Sequence, residues 1–301
     1  MPRRVVNIVT YNEEEWLRPN LKEIYPLADQ IVVTEGGIRG WAPTPRSADS
    51  TYEIIKQLDT EHKVVMATKP HDFWDSFEEC FDARTRHLVD GDLLLILNSD
   101  EFVCREDALA AFDYLESHPE YDEIIPLFLH FWRDFHHILK PKRRVVNITH
   151  QRLIRFRMGY HWSCHHPTAC DFWHRDTVWL EPYDSRRYLT PYWYIYHFNY
   201  LSDPERFKEK LLFCIKSGVH GNIFDGNMAF AREQVDQCNR FSFKEDQGEV
   251  LDFDGTLPES LLFHPLSGYR EPFFKDIRHT HWLSTPEYGE GQVGRIYDRG
   301  Y

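Results

Sequence analysis

Hydrophobic and polar positions alternate in blocks over the first 130 residues. Short apolar runs occupy residues 4–10 (Arg-Val-Val-Asn-Ile-Val-Thr), 30–34 (Gln-Ile-Val-Val-Thr), 63–67, 93–97 (Leu-Leu-Leu-Ile-Leu) and 123–131. Runs of that length, bounded by Gly, Pro or charge, are the pattern of strands buried on both faces of a sheet. Helical patterns lie between them. Asn12 suits an N-cap, and Glu13 to Glu15 favour the positive end of a helix that should stop at Pro26 and be kinked or divided at Pro19. Further helices are expected over 51–58, capped by Asp49 or Ser50, then over 73–88 and 106–117, while residues 38–48 are rich in Gly, Pro and Ser and read as a loop. This strand–helix alternation implies an α/β fold, a mainly parallel sheet flanked by helices.

The pattern weakens further along. Short strands are expected at 150–157 and 177–181, an aromatic strand-like run at 192–200 and an amphipathic helix at 204–217. The last 80 residues carry Pro, Gly and His with little period. They are expected to form an irregular C-terminal extension, 221–301, packed on a domain of residues 1–220.

Composition narrows the class. A hydrophobic share of 42% with 28% charged residues is that of a soluble globular chain. No apolar run approaches the ~18 residues of a membrane-spanning helix, so no transmembrane segment is expected. The amino terminus lacks a signal-peptide core, which implies a cytoplasmic location, at most peripheral to a membrane. A net charge of −13 opposes the basic footprint that nucleic acid requires, although the island Lys140-Pro-Lys-Arg-Arg144 keeps that partner from exclusion. Six irregularly spaced cysteines read as reduced thiols rather than a disulfide framework. The aromatic share of 15%, dense in the second half, supplies a thick core or a face on which a sugar or base can stack.

The chemistry concentrates in residues 91–102, where the leucine run ends in Asn98-Ser-Asp-Glu101. Ligands of open α/β sheets bind beyond the carboxyl ends of the strands. Carboxylates there are hard oxygen ligands for a divalent cation that also binds phosphate. Asp100 lies too early to cap the helix that follows, which favours the ligand role. A second cluster, Cys164-His165-His166 with Cys170 and His174, has some flavour of a zinc site but lacks a second Cys-x-x-Cys pair.

Taken in order, these motifs resemble those of the GT-A nucleotide-sugar glycosyltransferases, most closely the family 2 type. The strand and turn Val9-Thr-Tyr-Asn-Glu-Glu14, the acidic strand end Ile31-Val-Val-Thr-Glu-Gly-Gly37, the segment Ser47-Ala-Asp-Ser-Thr51, the stretch Ala83-Arg84-Thr85, the metal motif Asn98-Ser-Asp-Glu101 and the strand Gln151-Arg-Leu-Ile-Arg-Phe-Arg157 carry the resemblance. It covers the first 160 residues well and fades by residue 217. It implies a donor-binding half over about 1–102 and an acceptor half over about 103–220.

What the resemblance implies is transfer of a sugar from a nucleoside-diphosphate sugar, in all expectation a UDP-sugar, to an acceptor hydroxyl with inversion, assisted by Mn2+ or Mg2+. Asp100 becomes the principal metal ligand, with His197 and Glu101 as the candidates to join it. Thr10, Tyr11, Asn12, Glu35, Asn98 and Ser99 should line the donor site, with Glu35 at the uracil or ribose and Arg84 at a phosphate. Asn98 stands where the family commonly has Asp, which removes one negative charge. The base that takes the acceptor proton is open among Asp134, His166, Asp171 and Glu181, with His166 and Asp134 preferred. Two other classes compete. A non-catalytic carbohydrate-binding protein would explain Asn98, and a sugar-phosphate nucleotidyltransferase is opposed by Tyr11-Asn-Glu-Glu-Glu15, which would repel a triphosphate. The donor sugar and the acceptor, a glycan or another hydroxyl compound, are not specified.

Overall fold

The structure is a computed structural model and describes residues 1–141, 152–160, 187–201, 248–253 and 255–269. Its elements in order are β1 (Arg4–Thr10), α1 (Glu14–Ile24), β2 (Gln30–Glu35), α2 (Thr51–Leu58), β3 (Val64–Thr68), α3 (Phe77–Asp82), β4 (Leu93–Asn98), β5 (Glu101–Phe102), α4 (Arg105–Ser117), β6 (Glu123–Trp132), β7 (His137–Pro141), β8 (Leu153–Arg155), β9 (Arg187–Tyr200) and β10 (Gly248–Asp252). The expected strand at 177–181, the helix at 204–217, residues 142–144 of the basic island, the Cys164–His174 cluster and the candidates His166, Asp171 and Glu181 lie outside the described residues.

The chain forms a mixed α/β fold with a mainly parallel sheet flanked by helices. β3, β2, β1 and β4 are parallel neighbours. β8 joins β4 antiparallel, β6 joins β8 antiparallel, and β6 and β9 run parallel. β7 and β10 extend the far edge as antiparallel strands.

Alternation within β4 explains the layering. Leu93, Leu95 and Leu97 meet Leu17, Leu21, Ile24, Ile54 and Phe112 of α1, α2 and α4 on one face. Leu94 and Ile96 meet Phe81, Ala83 and Trp74 on the other. Period-2 side chains feeding two cores are what a strand covered on both sides requires. A third, aromatic cluster joins Trp16, Phe102, Phe131, Phe135 and Phe198 with Leu261. Residues 255–269 lie on α1: His264 stacks on Trp16 with ring centroids 4.7 Å apart, and the Ser260 amide donates to Glu23 at 3.1 Å.

Several local expectations change. Pro19 leaves α1 undivided, because its flanks Trp16, Leu17, Asn20 and Leu21 are all buried and hold both turns to the sheet. Asn12 is not the cap of α1. It adopts a left-handed backbone, φ 52°, which Asn tolerates, and Glu13 takes the cap position. The helix expected over 73–88 shrinks to α3 followed by a 3-10 turn, Ala83–His87. Trp74 is drawn into a bridge with Ile38, and the Ser76 hydroxyl then caps α3 by accepting from the Glu79 amide at 3.1 Å. β5 and β10 carried no readable period.

Candidate functional site

The parallel register brings the ends of β1, β2 and β4 level: Thr10 lies beside Glu35, and Val9 beside Asn98. The turn after β4 is built from its own residues. The Asn98 amide N–H and side-chain nitrogen donate to the two oxygens of Glu101, at 2.9 and 3.2 Å. Asn20 of α1 reaches in and donates to the carbonyls of Asn98, Ser99 and Glu101 at 3.2, 3.0 and 2.8 Å. Arg152, beside β8, closes the turn from behind with a guanidinium 2.8 Å from Glu101, both side chains almost wholly buried.

That network separates the two acids. Glu101 is committed to Arg152 and Asn98, so the expectation that it joins Asp100 as a ligand is corrected. Asp100 takes different contacts. Its backbone carbonyl accepts from Phe198 of β9 at 2.9 Å, and its side-chain Oδ2 stands 3.9 Å from Nε2 of His197. The pairing of β5 with β9 produces this juxtaposition, since Glu101 is in register with His197. At 3.9 Å the two atoms are too far apart for a hydrogen bond. Across the parallel pair β6–β9, His130 is in register with His197, and their Nδ1 atoms are 3.0 Å apart. His130 was not anticipated. In the sequence it is one polar residue in an apolar strand, and only strand pairing reveals its neighbour.

At the ends of β1 and β2 the chain covers its own sheet edge. The Tyr11 hydroxyl donates to the Thr44 carbonyl at 2.9 Å. Asn12 donates its amide to the Ser47 hydroxyl and accepts from the Ala48 amide, at 2.9 and 2.8 Å. Glu35 is fully buried, accepting from the Ser47 amide at 2.7 Å, from the Tyr52 hydroxyl, and from Thr68 at 3.4 Å. Burial, reinforced by the bond to Glu35, pushes the Tyr52 hydroxyl pKa up. Thus Tyr11, Asn12 and Glu35 gather at one edge, and all three hold the loop of residues 44–50. Thr10 differs: its hydroxyl is buried and makes no hydrogen bond among the described residues.

Two expected site residues lie elsewhere. Arg84 does not reach the strand ends. Its Nε donates to the Phe81 carbonyl at 2.6 Å and Nη1 to Asn7 in the middle of β1. No part of it is exposed, and burial lowers its pKa to about 9, so it offers a phosphate no surface. Asp134 sits fully buried in the β6–β7 turn, where Oδ1 accepts from the His136 amide at 2.8 Å and meets His137 Nδ1 at 2.7 Å. His137 continues to Asp252 of β10 at 3.2 Å. A carboxylate so enclosed fixes the hairpin and is not placed to take a proton from an acceptor.

Among the described residues no group of three or more His, Cys, Asp and Glu is assembled to hold a metal ion, and no helix is long and apolar enough to cross a membrane. What the fold does define is a carboxylate and an imidazole facing each other at the carboxyl edge of a mainly parallel sheet.

No family model and no curated protein matches the chain. Solved structures do. One is a mannosyltransferase from Pyrobaculum calidifontis in complex with GDP-Man and Mn2+, 21% identical over 42% of this chain and 36% of that one, TM-score 0.31. Another is glucosyl-3-phosphoglycerate synthase from Mycobacterium tuberculosis with Mn2+ and UDP, 18% identical over 44% of each chain, TM-score 0.29. A third is S. aureus TarS 1–349 with UDP-GlcNAc, 13% identical over 80% of this chain and 73% of that one, TM-score 0.38. The chain spans less than half the length of the first two. The similarity concerns fold alone.

Proposed function

We propose that the chain is a metal-dependent glycosyltransferase moving a sugar from a nucleoside-diphosphate donor to an acceptor hydroxyl. The observation that carries this reading is the 3.9 Å separation of Asp100 Oδ2 and His197 Nε2 at the carboxyl edge of the sheet. One carboxylate and one imidazole, with the remaining positions left to water and phosphate oxygens, suit Mn2+ or Mg2+. A divalent ion held there supplies positive charge to a diphosphate leaving group. Asp100 and His197 would hold the ion, Thr10 and the Asn98–Ser99 turn would contact the donor, and Tyr11, Asn12 and Glu35 hold the loop of residues 44–50 as the wall of the nucleoside side. In this reading His166 takes the acceptor proton with inversion of the anomeric centre, since Asp134 is enclosed.

The test is nucleotide release from a panel of UDP- and GDP-sugars with Mn2+, run on the wild type and on Asp100→Ala. Metal-dependent release by the wild type, lost at least a hundredfold in the variant, supports the reading. Absence of release with every donor, together with no thermal shift on adding nucleotide and Mn2+, refutes it. The engagement of Glu35 and Asn12 by the chain's own loop favours one alternative, a carbohydrate-binding protein on a transferase-like fold. Glycan binding without release from any donor would identify it.

A further inference from the structure

Glu35 is enclosed, yet its charge is relayed to the surface. An ionised carboxylate can only accept, so the Tyr52 hydroxyl donates to it. The phenol oxygen is thereby left as an acceptor, and Arg46 Nε donates to it at 3.0 Å. The Arg46 guanidinium also lies over the same ring, its central carbon 4.1 Å from the centroid. Past Nε the fork is open: among the described residues its two terminal nitrogens make no hydrogen bond or ion pair, and Arg46 is exposed. The backbone beneath is fixed as well. The Thr44 hydroxyl donates to the Arg46 carbonyl at 2.7 Å and the Gly37 amide to the Pro45 carbonyl at 2.9 Å. Residue 37 must be glycine for this approach, because a Cβ there would stand 2.3 Å from the Thr44 carbonyl oxygen. Arg46 therefore has less freedom to lose on meeting a ligand than an ordinary surface arginine.

Sheet order points to the ligand. β1 lies between β4 and β2, and neighbouring strands are about 4.8 Å apart, so the end of β2 stands about 10 Å from that of β4. The other neighbour of β4, β8, is antiparallel and brings no carboxyl end to this edge. A donor whose diphosphate sits at Asp100 thus extends its nucleoside across β1 toward the loop that carries Arg46. Resting on the reading of Asp100 as the diphosphate end of the site, we infer that Arg46 binds the donor's nucleobase on the guanidinium face turned away from Tyr52, with Tyr52 and Glu35 as positioning residues behind it. A planar, weakly hydrated guanidinium is suited to a base plane, whereas an ammonium is not.

Calorimetric titration of the full chain tests this, in Mn2+, with UDP, GDP and inorganic pyrophosphate as probes. Arg46→Gln should weaken the better-bound nucleotide about 3- to 30-fold and leave pyrophosphate, which has no base, unchanged. Arg46→Lys keeps the charge but not the plane or Nε, and should recover only part of that loss. Tyr52→Phe keeps the ring and releases Nε, so nucleotide affinity should fall while pyrophosphate affinity holds. A merely structural role for Tyr52 would lower the melting temperature and move all three probes together. Because Arg46 is exposed, its variants should melt with the wild type and keep the test open even if Tyr52→Phe fails to fold. Unchanged nucleotide affinity in Arg46→Gln overturns the inference and leaves the functional reading standing. Equal losses for nucleotide and pyrophosphate would put the guanidinium on a phosphate, and full recovery in Arg46→Lys would make it a point charge; either also overturns it. A wild type that binds neither nucleotide sinks the functional reading and the inference together.

Discussion

Replacing Asn98 by Asp would bring the chain closer to an Asp-x-Asp motif, yet the structure expects it to do harm. Asn98 Nδ2 donates to Glu101 Oε1 at 3.2 Å, and Glu101 is only 1% exposed. Asn98→Asp removes a donor and sets two carboxylates at that distance. Unit charges 3.2 Å apart repel by about 5 kcal/mol at an effective dielectric near 20. The lost charge-assisted bond adds about 1.5–3 kcal/mol. Two effects limit the sum. Arg152 already neutralises part of Glu101, and the new carboxyl can escape by keeping its proton. Starting from an ordinary pKa of about 3.9, doing so at pH 7 costs about 4 kcal/mol, which is a ceiling. The expected loss is therefore about 2–4 kcal/mol at pH 7. It should shrink toward pH 4, because the folded variant holds a proton that its unfolded chain releases only above that range. Urea unfolding followed by tryptophan fluorescence, run on both proteins at pH 7 and about pH 4.5, measures this. Equal stability at pH 7 would refute the reasoning. Tighter Mn2+ binding without loss of stability would make position 98 a metal ligand instead.

Further outcomes follow from other buried groups. Arg152→Met strips the buried Glu101 carboxylate of its counter-charge and should cost about 3–5 kcal/mol in the same urea experiment, with part recovered in the Glu101→Gln/Arg152→Met pair. The pair failing to recover would remove the ion pair as the cause. Burial against Trp16 lowers the pKa of His264. The unfolded chain therefore takes up a proton that the folded one resists, and stability should fall as pH drops through about 6.5. His264→Phe, which keeps the stacking, should flatten that part of the stability–pH curve; an unchanged slope would show that the ring is not its source.

Much of the fold was legible because its signals are local. The run of residues 93–97 is apolar at every position because each face of the sheet has its own core, and that pattern survives without knowledge of the partners. Residues 4–10 and 51–58 coincide with β1 and α2 for the same reason. Placement of Asp100 at the end of β4 needed only strand direction and the rule that ligands gather at carboxyl ends. Asn12 and the start of α3 were misread because the loop of residues 38–50 and the Ile38–Trp74 bridge compete with local helix signals, and neither is visible in a short window.

The sequence by itself determined the strand–helix alternation, the faces of β1, β2 and β4, and the presence of an acid cluster where β4 ends. Tertiary structure decided the roles within that cluster. Glu101 is neutralised because sheet order sets β8, and Arg152 just before it, next to β4, and His197 meets Asp100 because β9 pairs with β5. Arg84 and Asp134, as plausible on paper as Asp100, are withdrawn from chemistry by Asn7 and His137. The reason is physical: side-chain period reports which face a residue takes, whereas the charge it meets there depends on strands that are far away in the chain and adjacent only in the folded sheet.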